Sequence, residues 1–125
     1  MKIDFNGDKP IYIQLAEGIE DAILSGAYEE ETQIPSTTEI SVNYKINPAT
    51  ALKGINLLVD EEIVYKKRGL GMFVSTNAKE KILDKRKITF LDSYITSLIS
   101  EAKKLSISKD DIIKMLERGF DKWVI

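Results

Sequence analysis

Two closely spaced helix start signals place the strongest limit on how this chain can fold. Ser36 and Glu39 have the spacing of a capping box, in which each side chain bonds the backbone N–H of the other residue. Asn47 is a favourable N-cap residue, and Pro48 suits the first turn of a helix because its missing N–H is not needed there. The predicted segments are a helix over 37–44, a turn at 45–47 and a helix over 48–60. Two helices joined by so short a turn are typical of a helix-turn-helix.

A helix precedes this pair, and a β-hairpin follows it. Apolar residues at helical spacing predict a first helix over 10–25. Two β-prone runs, 63–67 and 72–75, flank a glycine-containing turn at 68–71 and therefore predict a hairpin. This order of elements is that of a winged helix, so we assign residues 1–76 to a winged helix-turn-helix domain.

Beyond the hairpin, apolar residues recur at alternating spacings of three and four. Such spacing forms a seam typical of helices that pair. Ser108 then predicts the start of a last helix, which is followed by Trp123. A helical pair of this size, residues 77–125, is too small to bury the whole seam by itself. We expect it to pair with a second copy of the chain; the alternative is that it folds back on the N-terminal domain.

The predicted fold is therefore mainly α-helical with a small β-hairpin. A winged helix-turn-helix domain is followed by a C-terminal two-helix dimerisation arm. The residues assigned to the dimer contact are Ile88, Leu91, Ile95, Leu98, Ile99, Ala102, Leu105, Leu116 and Phe120.

The composition argues against several functions. The chain contains no Cys and no His, which removes disulfides, thiol nucleophiles, histidine bases and nearly all zinc, copper or haem sites. No apolar run is long enough to span a membrane, and the first residues lack the apolar core of a signal peptide. We therefore expect a cytoplasmic protein that is not an enzyme, with no cofactor, no metal site and no membrane partner.

The charge distribution limits how the chain could bind nucleic acid. The net charge is -2, the N-terminal region is acidic, and the C-terminal region is basic. This balance argues against binding by bulk charge, so nucleic acid would need a local patch. The two candidate patches are 66–68 and 79–87, and the alternative for both is an ordinary solvated surface.

The helix-turn-helix geometry assigns candidate contacts to double-stranded DNA. In this motif the start of the second helix meets base edges, where Asn suits adenine, Thr suits the thymine methyl group and Lys suits guanine or phosphate. The hairpin tip would lie along the DNA backbone or in the minor groove. The assigned DNA-binding residues are Ser36, Thr37, Thr38, Asn47, Ala49, Thr50, Lys53, Lys67, Arg68 and Gly69.

Several motifs in this order resemble the GntR family of bacterial transcription regulators. They are Pro10-Ile11-Tyr12-Ile13-Gln14-Leu15-Ala16, Ile34-Pro35-Ser36, Ile46-Asn47-Pro48-Ala49-Thr50 and Arg68-Gly69-Leu70-Gly71-Met72-Phe73-Val74. The resemblance covers about 10–75. The Asn-Pro-x-Thr element and the short two-helix tail look like the YtrA-like branch. The resemblance implies a homodimeric winged-helix repressor on a two-fold operator, of a kind that often controls genes of ABC-type transport systems.

Thr38 departs from the family pattern, which usually has arginine at this position. The tail is also too short for the large effector-binding domains of other branches, so no effector pocket is evident. Binding of a small-molecule effector is kept as an alternative. The acidic N-terminal region and Thr38 suit an alternative function, a winged-helix protein-interaction module without specific DNA binding. The two hypotheses differ in one outcome. The alternative predicts that no duplex, of any sequence, competes for binding to the protein at physiological salt.

Overall fold

The computed structural model of the chain describes residues 1–122, so Trp123 lies outside the described residues. The chain divides into two units, Met1–Asp84 and a second unit from Lys85 onwards. The elements are α1 (Ile11–Ser25), α2 (Thr37–Tyr44), α3 (Pro48–Asp60), β1 (Val64–Lys67), β2 (Gly71–Val74), α4 (Ala78–Phe90), a π-helical turn (Leu91–Ile95), α5 (Thr96–Lys104) and α6 (Lys109–Lys122). Within residues 1–122, none of the helices combines the length and the apolar character that crossing a membrane requires.

The helix starts predicted from the sequence are confirmed in their hydrogen bonds. The Ser36 hydroxyl accepts from the Glu39 N–H at 3.0 Å, and the Glu39 carboxylate accepts from the Ser36 N–H at 3.1 Å. The Asn47 side-chain oxygen accepts from the Ala49 N–H at 2.8 Å. Helices α2 and α3 have the predicted bounds. Helix α1 begins one residue later than predicted because Pro10 is its N-cap.

The core of the first unit lies where α1, α2 and α3 meet the hairpin and the start of α4. Its fully buried members include Leu15, Ile23, Ala51, Ile55, Leu58, Ile63, Val64, Val74 and Ile82. A side chain at Gly54 would place its Cβ 2.9 Å from the Tyr12 carbonyl oxygen and 3.0 Å from Leu15 Cδ2. Glycine at this position therefore lets α1 and α3 pack at close distance.

The hairpin is antiparallel and carries an additional partner along its β2 edge. Tyr65 lies opposite Phe73 in the register of β1 and β2. The Glu31 N–H donates to the Val74 carbonyl at 2.8 Å, and the Ile34 N–H donates to the Met72 carbonyl at 2.9 Å. The segment around Glu31 is too short to show alternation, so its pairing with β2 was not predicted from the sequence.

In the second unit, a π-helical turn interrupts the predicted helical seam. The Thr96 N–H and the Thr96 hydroxyl both donate to the Leu91 carbonyl, the latter at 3.3 Å, and together they hold the wider turn. A π turn carries an extra residue, so side chains after it are rotated relative to those before it. The last helix starts as predicted, because the Ser108 hydroxyl accepts from the Asp111 N–H at 3.1 Å.

Candidate nucleic-acid interface

The outward face of α3 combines apolar and polar side chains over its first turns. Its inward residues are Ala51, Gly54, Ile55 and Leu58, which lie at helical spacing. On the other side, Ala49, Leu52, Lys53 and Asn56 are exposed. These four residues line an open groove of about 420 Å³. Because residues three and four apart are neighbours on a helix, they form one continuous surface, which we call the α3 face.

Two of the four α3-face residues were not among the predicted contacts. Leu52 and Asn56 lie three and seven residues after Ala49, so helical spacing alone could have found them. Thr50, which was predicted to meet DNA, is half-buried and lies nearer the core side of the helix. The α3 face is therefore better described by the helical repeat than by the polarity of its residues.

The predicted contacts at the two helix starts already have structural partners. The side-chain oxygens of Ser36 and Asn47 accept from N–H groups of their own helices. Each oxygen therefore holds a helix start in place, which limits its freedom to turn towards a base. Thr37 is half-buried and Thr38 is exposed on the first turn of α2.

Charge is distributed unevenly along α3. Lys53 is the single cation in the sequence of this helix, and its ammonium nitrogen lies 4.1 Å from the centre of the Tyr12 ring. Such a cation–π contact restrains the lysine within the α3 face. The other end of the helix carries Asp60, Glu61 and Glu62. A polyanion is therefore favoured at the first half of α3 and repelled from its end.

A second cationic site lies on the hairpin. The Lys67 ammonium nitrogen lies 4.3 Å from the centre of the Phe73 ring and 6.0 Å from that of Tyr65. The two rings are themselves paired, with 6.2 Å between their centres. The lysine side chain is thus supported by an aromatic surface.

The hairpin tip is held in one conformation. The Leu70 N–H donates to the Lys67 carbonyl at 2.9 Å, which closes the turn. Gly69 has a φ of 79°, a value that glycine adopts readily and other residues rarely adopt. The Gln33 side-chain amide donates to the Leu70 carbonyl at 2.7 Å and ties the tip to the neighbouring segment. Arg68 is exposed at this fixed tip.

Glu31 connects the base of the hairpin to the segment before α4. Its carboxylate accepts from the Tyr65 hydroxyl at 2.6 Å and from the Thr76 hydroxyl at 2.7 Å. These bonds hold the pKa of the Glu31 carboxyl below its ordinary value of 4.5. The same contact raises the pKa of Tyr65. The sequence gives no sign of this link between β1 and Thr76, so it was not predicted.

We expect the Glu31 link to stabilise the fold in a pH-dependent way. Because the pKa is lower in the folded state, the stabilisation is full above pH 4.5 and is lost as the pH falls through the folded value. Glu31→Gln should therefore be less stable than the unsubstituted chain at pH 7, and the difference should shrink in acid. Urea unfolding over a pH series, followed by circular dichroism, measures this.

The exposed neighbour Glu30 supplies the matched control, since Glu30→Gln makes the same chemical change outside the link. Its stability should follow that of the unsubstituted chain at every pH. A stability difference for Glu31→Gln that stays constant from pH 7 into acid would contradict the assigned role of the carboxylate.

The predicted DNA-binding residues other than Thr50 thus occupy three places in the first unit. These places are the start of α2, the α3 face with its N-cap, and the hairpin tip. The structure adds Leu52 and Asn56 to the second place and an aromatic support for Lys67 to the third.

Comparison with known proteins identifies the family. The sequence model of the gntR family of bacterial regulatory proteins matches residues 11–74. The transcriptional repressor YtrA of Bacillus subtilis is 29% identical over 102 residues, which is 82% of this chain and 78% of that protein. A GntR-family protein of Bacteroides thetaiotaomicron, solved by crystallography, is 38% identical with a TM-score of 0.78, covering 90% of this chain and 97% of that one.

A further solved structure contains DNA. AraR(DBD) in complex with operator ORX1 is 28% identical with a TM-score of 0.55, covering 60% of this chain and 96% of that one. These matches confirm the predicted fold class and the resemblance noted in the sequence. They also agree with the prediction that the chain is not an enzyme, because the matched family consists of regulatory proteins. The chain belongs to the GntR family of bacterial regulatory proteins.

Proposed function

We propose that this chain is a cytoplasmic transcription regulator that binds a specific DNA operator as a homodimer and represses transcription, with a transport operon as the target class. The observation that carries the proposal is the α3 face, where Lys53 and Asn56 stand beside exposed apolar groups on the first nine residues of the second helix of a helix-turn-helix. In this motif that part of the helix meets base edges in the major groove.

Each of the three places has a separate task in this proposal. The α3 face reads bases, with Asn47 and Thr50 supporting it from the start of the helix. The N–H groups at the start of α2, near Thr37 and Thr38, bind a phosphate. Lys67, Arg68 and Gly69 follow the DNA backbone or enter the minor groove. The acidic residues from Asp60 onwards restrict contact to the part of the helix that precedes them.

The exposed apolar residues of the second unit support the homodimer. Of the residues assigned to the dimer contact, only Ala102 is buried, while Ile95 and Leu98 are half-buried. The exposed ones are Ile88, Leu91, Ile99, Leu105, Leu116 and Phe120. Exposed apolar surface of this extent marks an interaction site. Two identical heads joined in this way would match a two-fold operator.

Fluorescence anisotropy with the full chain tests the function. The labelled duplex is the DNA upstream of the chain's own gene, the competitor is a scrambled duplex, and the titration is repeated over a salt series. We expect binding that resists the competitor and weakens with salt. Arg68→Ala should lower the slope of log K against log salt by about one unit, because one phosphate contact is lost.

Arg118→Ala removes the same charge from α6 and serves as the control, for which we expect an unchanged slope. Equal binding of the specific and the scrambled duplex would contradict the proposed regulator. An unchanged salt slope for Arg68→Ala would remove the hairpin tip from the DNA contact.

The acidic N-terminal region and Thr38 favour a second candidate, a winged-helix protein-interaction module. The same titration separates the two functions. A protein-interaction module predicts that neither duplex binds at physiological salt, whereas the regulator predicts competitor-resistant binding there.

A further inference from the structure

We infer that Leu52 is a specificity-determining residue that contacts the C5-methyl group of a thymine in each operator half-site. The inference rests on the proposed DNA binding and adds a base preference to it. Leu52 is 48% exposed, although it lies on a helix that contributes four residues to the buried face. It lies three residues after Ala49 and next to Lys53, within the α3 face.

The surface at the start of α3 is apolar, because the polar side chains near Leu52 are bonded within the helix or partly buried. Asn47 uses its side-chain oxygen for the Ala49 N–H, and Thr50 is half-buried. Ala49 and Leu52 then present only methyl and methylene groups outwards. The side chains of this helix that can form hydrogen bonds with bases are those of Lys53 and Asn56, which lie one and four residues after Leu52.

An apolar side chain in the major groove favours one base. All four bases present hydrogen-bonding groups at their major-groove edges, and thymine alone adds a methyl group, which lies beside its O4 acceptor. Leu52 pressed against such an edge would remove water from it without replacing the hydrogen bond, which is unfavourable. Contact with the thymine methyl group has no such cost. The α3 face therefore selects a half-site with thymine under Leu52.

Replacing thymine by deoxyuridine isolates this contact, because it removes the methyl group and leaves the base pair intact. The probe is a duplex selected by the full chain from a random-sequence library, with each thymine replaced singly. For the unsubstituted chain, we expect at least one thymine in each half-site whose replacement weakens binding by about 4-fold, the value of one buried methyl-sized group. For Leu52→Ala, replacement of the same thymine should have no further effect.

Leu83→Ala is the matched control, because Leu83 on α4 is 46% exposed and lies outside the α3 face. This variant should keep the full sensitivity to deoxyuridine. Circular dichroism melting of Leu52→Ala checks that the fold is retained. Deoxyuridine that is neutral at every thymine, or that weakens Leu52→Ala as much as the unsubstituted chain, would overturn the inference while leaving DNA binding intact. A library that yields no bound duplex would instead contradict the proposed function.

Discussion

Leu58→Ala is expected to lower the free energy of unfolding by about 2 to 5 kcal/mol, the range for truncating a leucine in a packed core. Leu58 has no exposed surface and lies on the inward side of α3, in the core shared with α1 and the hairpin. A loss of this size is a large part of the stability of a small domain. Urea unfolding followed by circular dichroism, at one fixed protein concentration, measures it.

Leu52→Ala supplies the control within the same helix. Both substitutions remove the same atoms from a leucine of α3, but Leu52 is 48% exposed. Its replacement should cost less than about 1 kcal/mol, because much of its surface is already in water and alanine has the higher helix propensity. Equal losses for the two variants would mean that the inward and outward sides of α3 have been assigned wrongly.

The second large effect is expected from the double variant Leu116→Ser and Phe120→Ser. These residues are 45% and 79% exposed, lie four apart on α6 and therefore share one side of the helix. If that side forms the proposed dimer contact, the double variant should sediment as a monomer. Its operator affinity should then fall by about 100-fold or more, because in a dimer the binding of one head holds the second head close to its own half-site.

The double variant Lys114→Ser and Asp121→Ser is the matched control, because it places two serines on the polar side of α6 and leaves the net charge unchanged. We expect it to stay dimeric and to bind normally. Analytical ultracentrifugation and anisotropy give the two readings. A dimer that survives the loss of Leu116 and Phe120 would place the contact elsewhere in the chain.

The elements set by local contacts were predictable from the sequence. Ser36 with Glu39, and Asn47 with Pro48, specify helix starts through bonds that span only two or three residues. The inward side of α3 followed from its 3.6-residue repeat. In each case the residues that interact are only a few positions apart, so the sequence pattern contains both partners.

The features that were missed depend on contacts between distant parts of the chain or on irregular turns. The Glu31 carboxylate meets Tyr65 and Thr76, and the spacing of charged residues gives no indication of either partner. The π turn at Leu91–Ile95 changes the helical repeat in a segment whose apolar spacing predicts an ordinary helix.

The candidate interface also combines features that were predictable from the sequence with features that required the structure. Its position at the start of α3 and at the hairpin tip follows from the order of elements. The tasks of individual residues required the structure, because the caps use the oxygens of Ser36 and Asn47, and the Tyr12 ring restrains Lys53. Burial also required the structure, since Thr50 is half-buried and Leu52 is exposed.

The close packing at Gly54 connects the core to the depth at which the proposed interface would enter the DNA groove. Because a Cβ would lie only 2.9 Å from the Tyr12 carbonyl oxygen, even alanine would require α3 to move away from α1. Hydrogen bonds to bases tolerate a spread of only about 0.5 Å. Because glycine has no side chain, Gly54 allows the shortest distance between α1 and α3, and this distance fixes the position of the α3 face. A relative with a larger residue there would hold the same outward side chains at a different height above the base pairs.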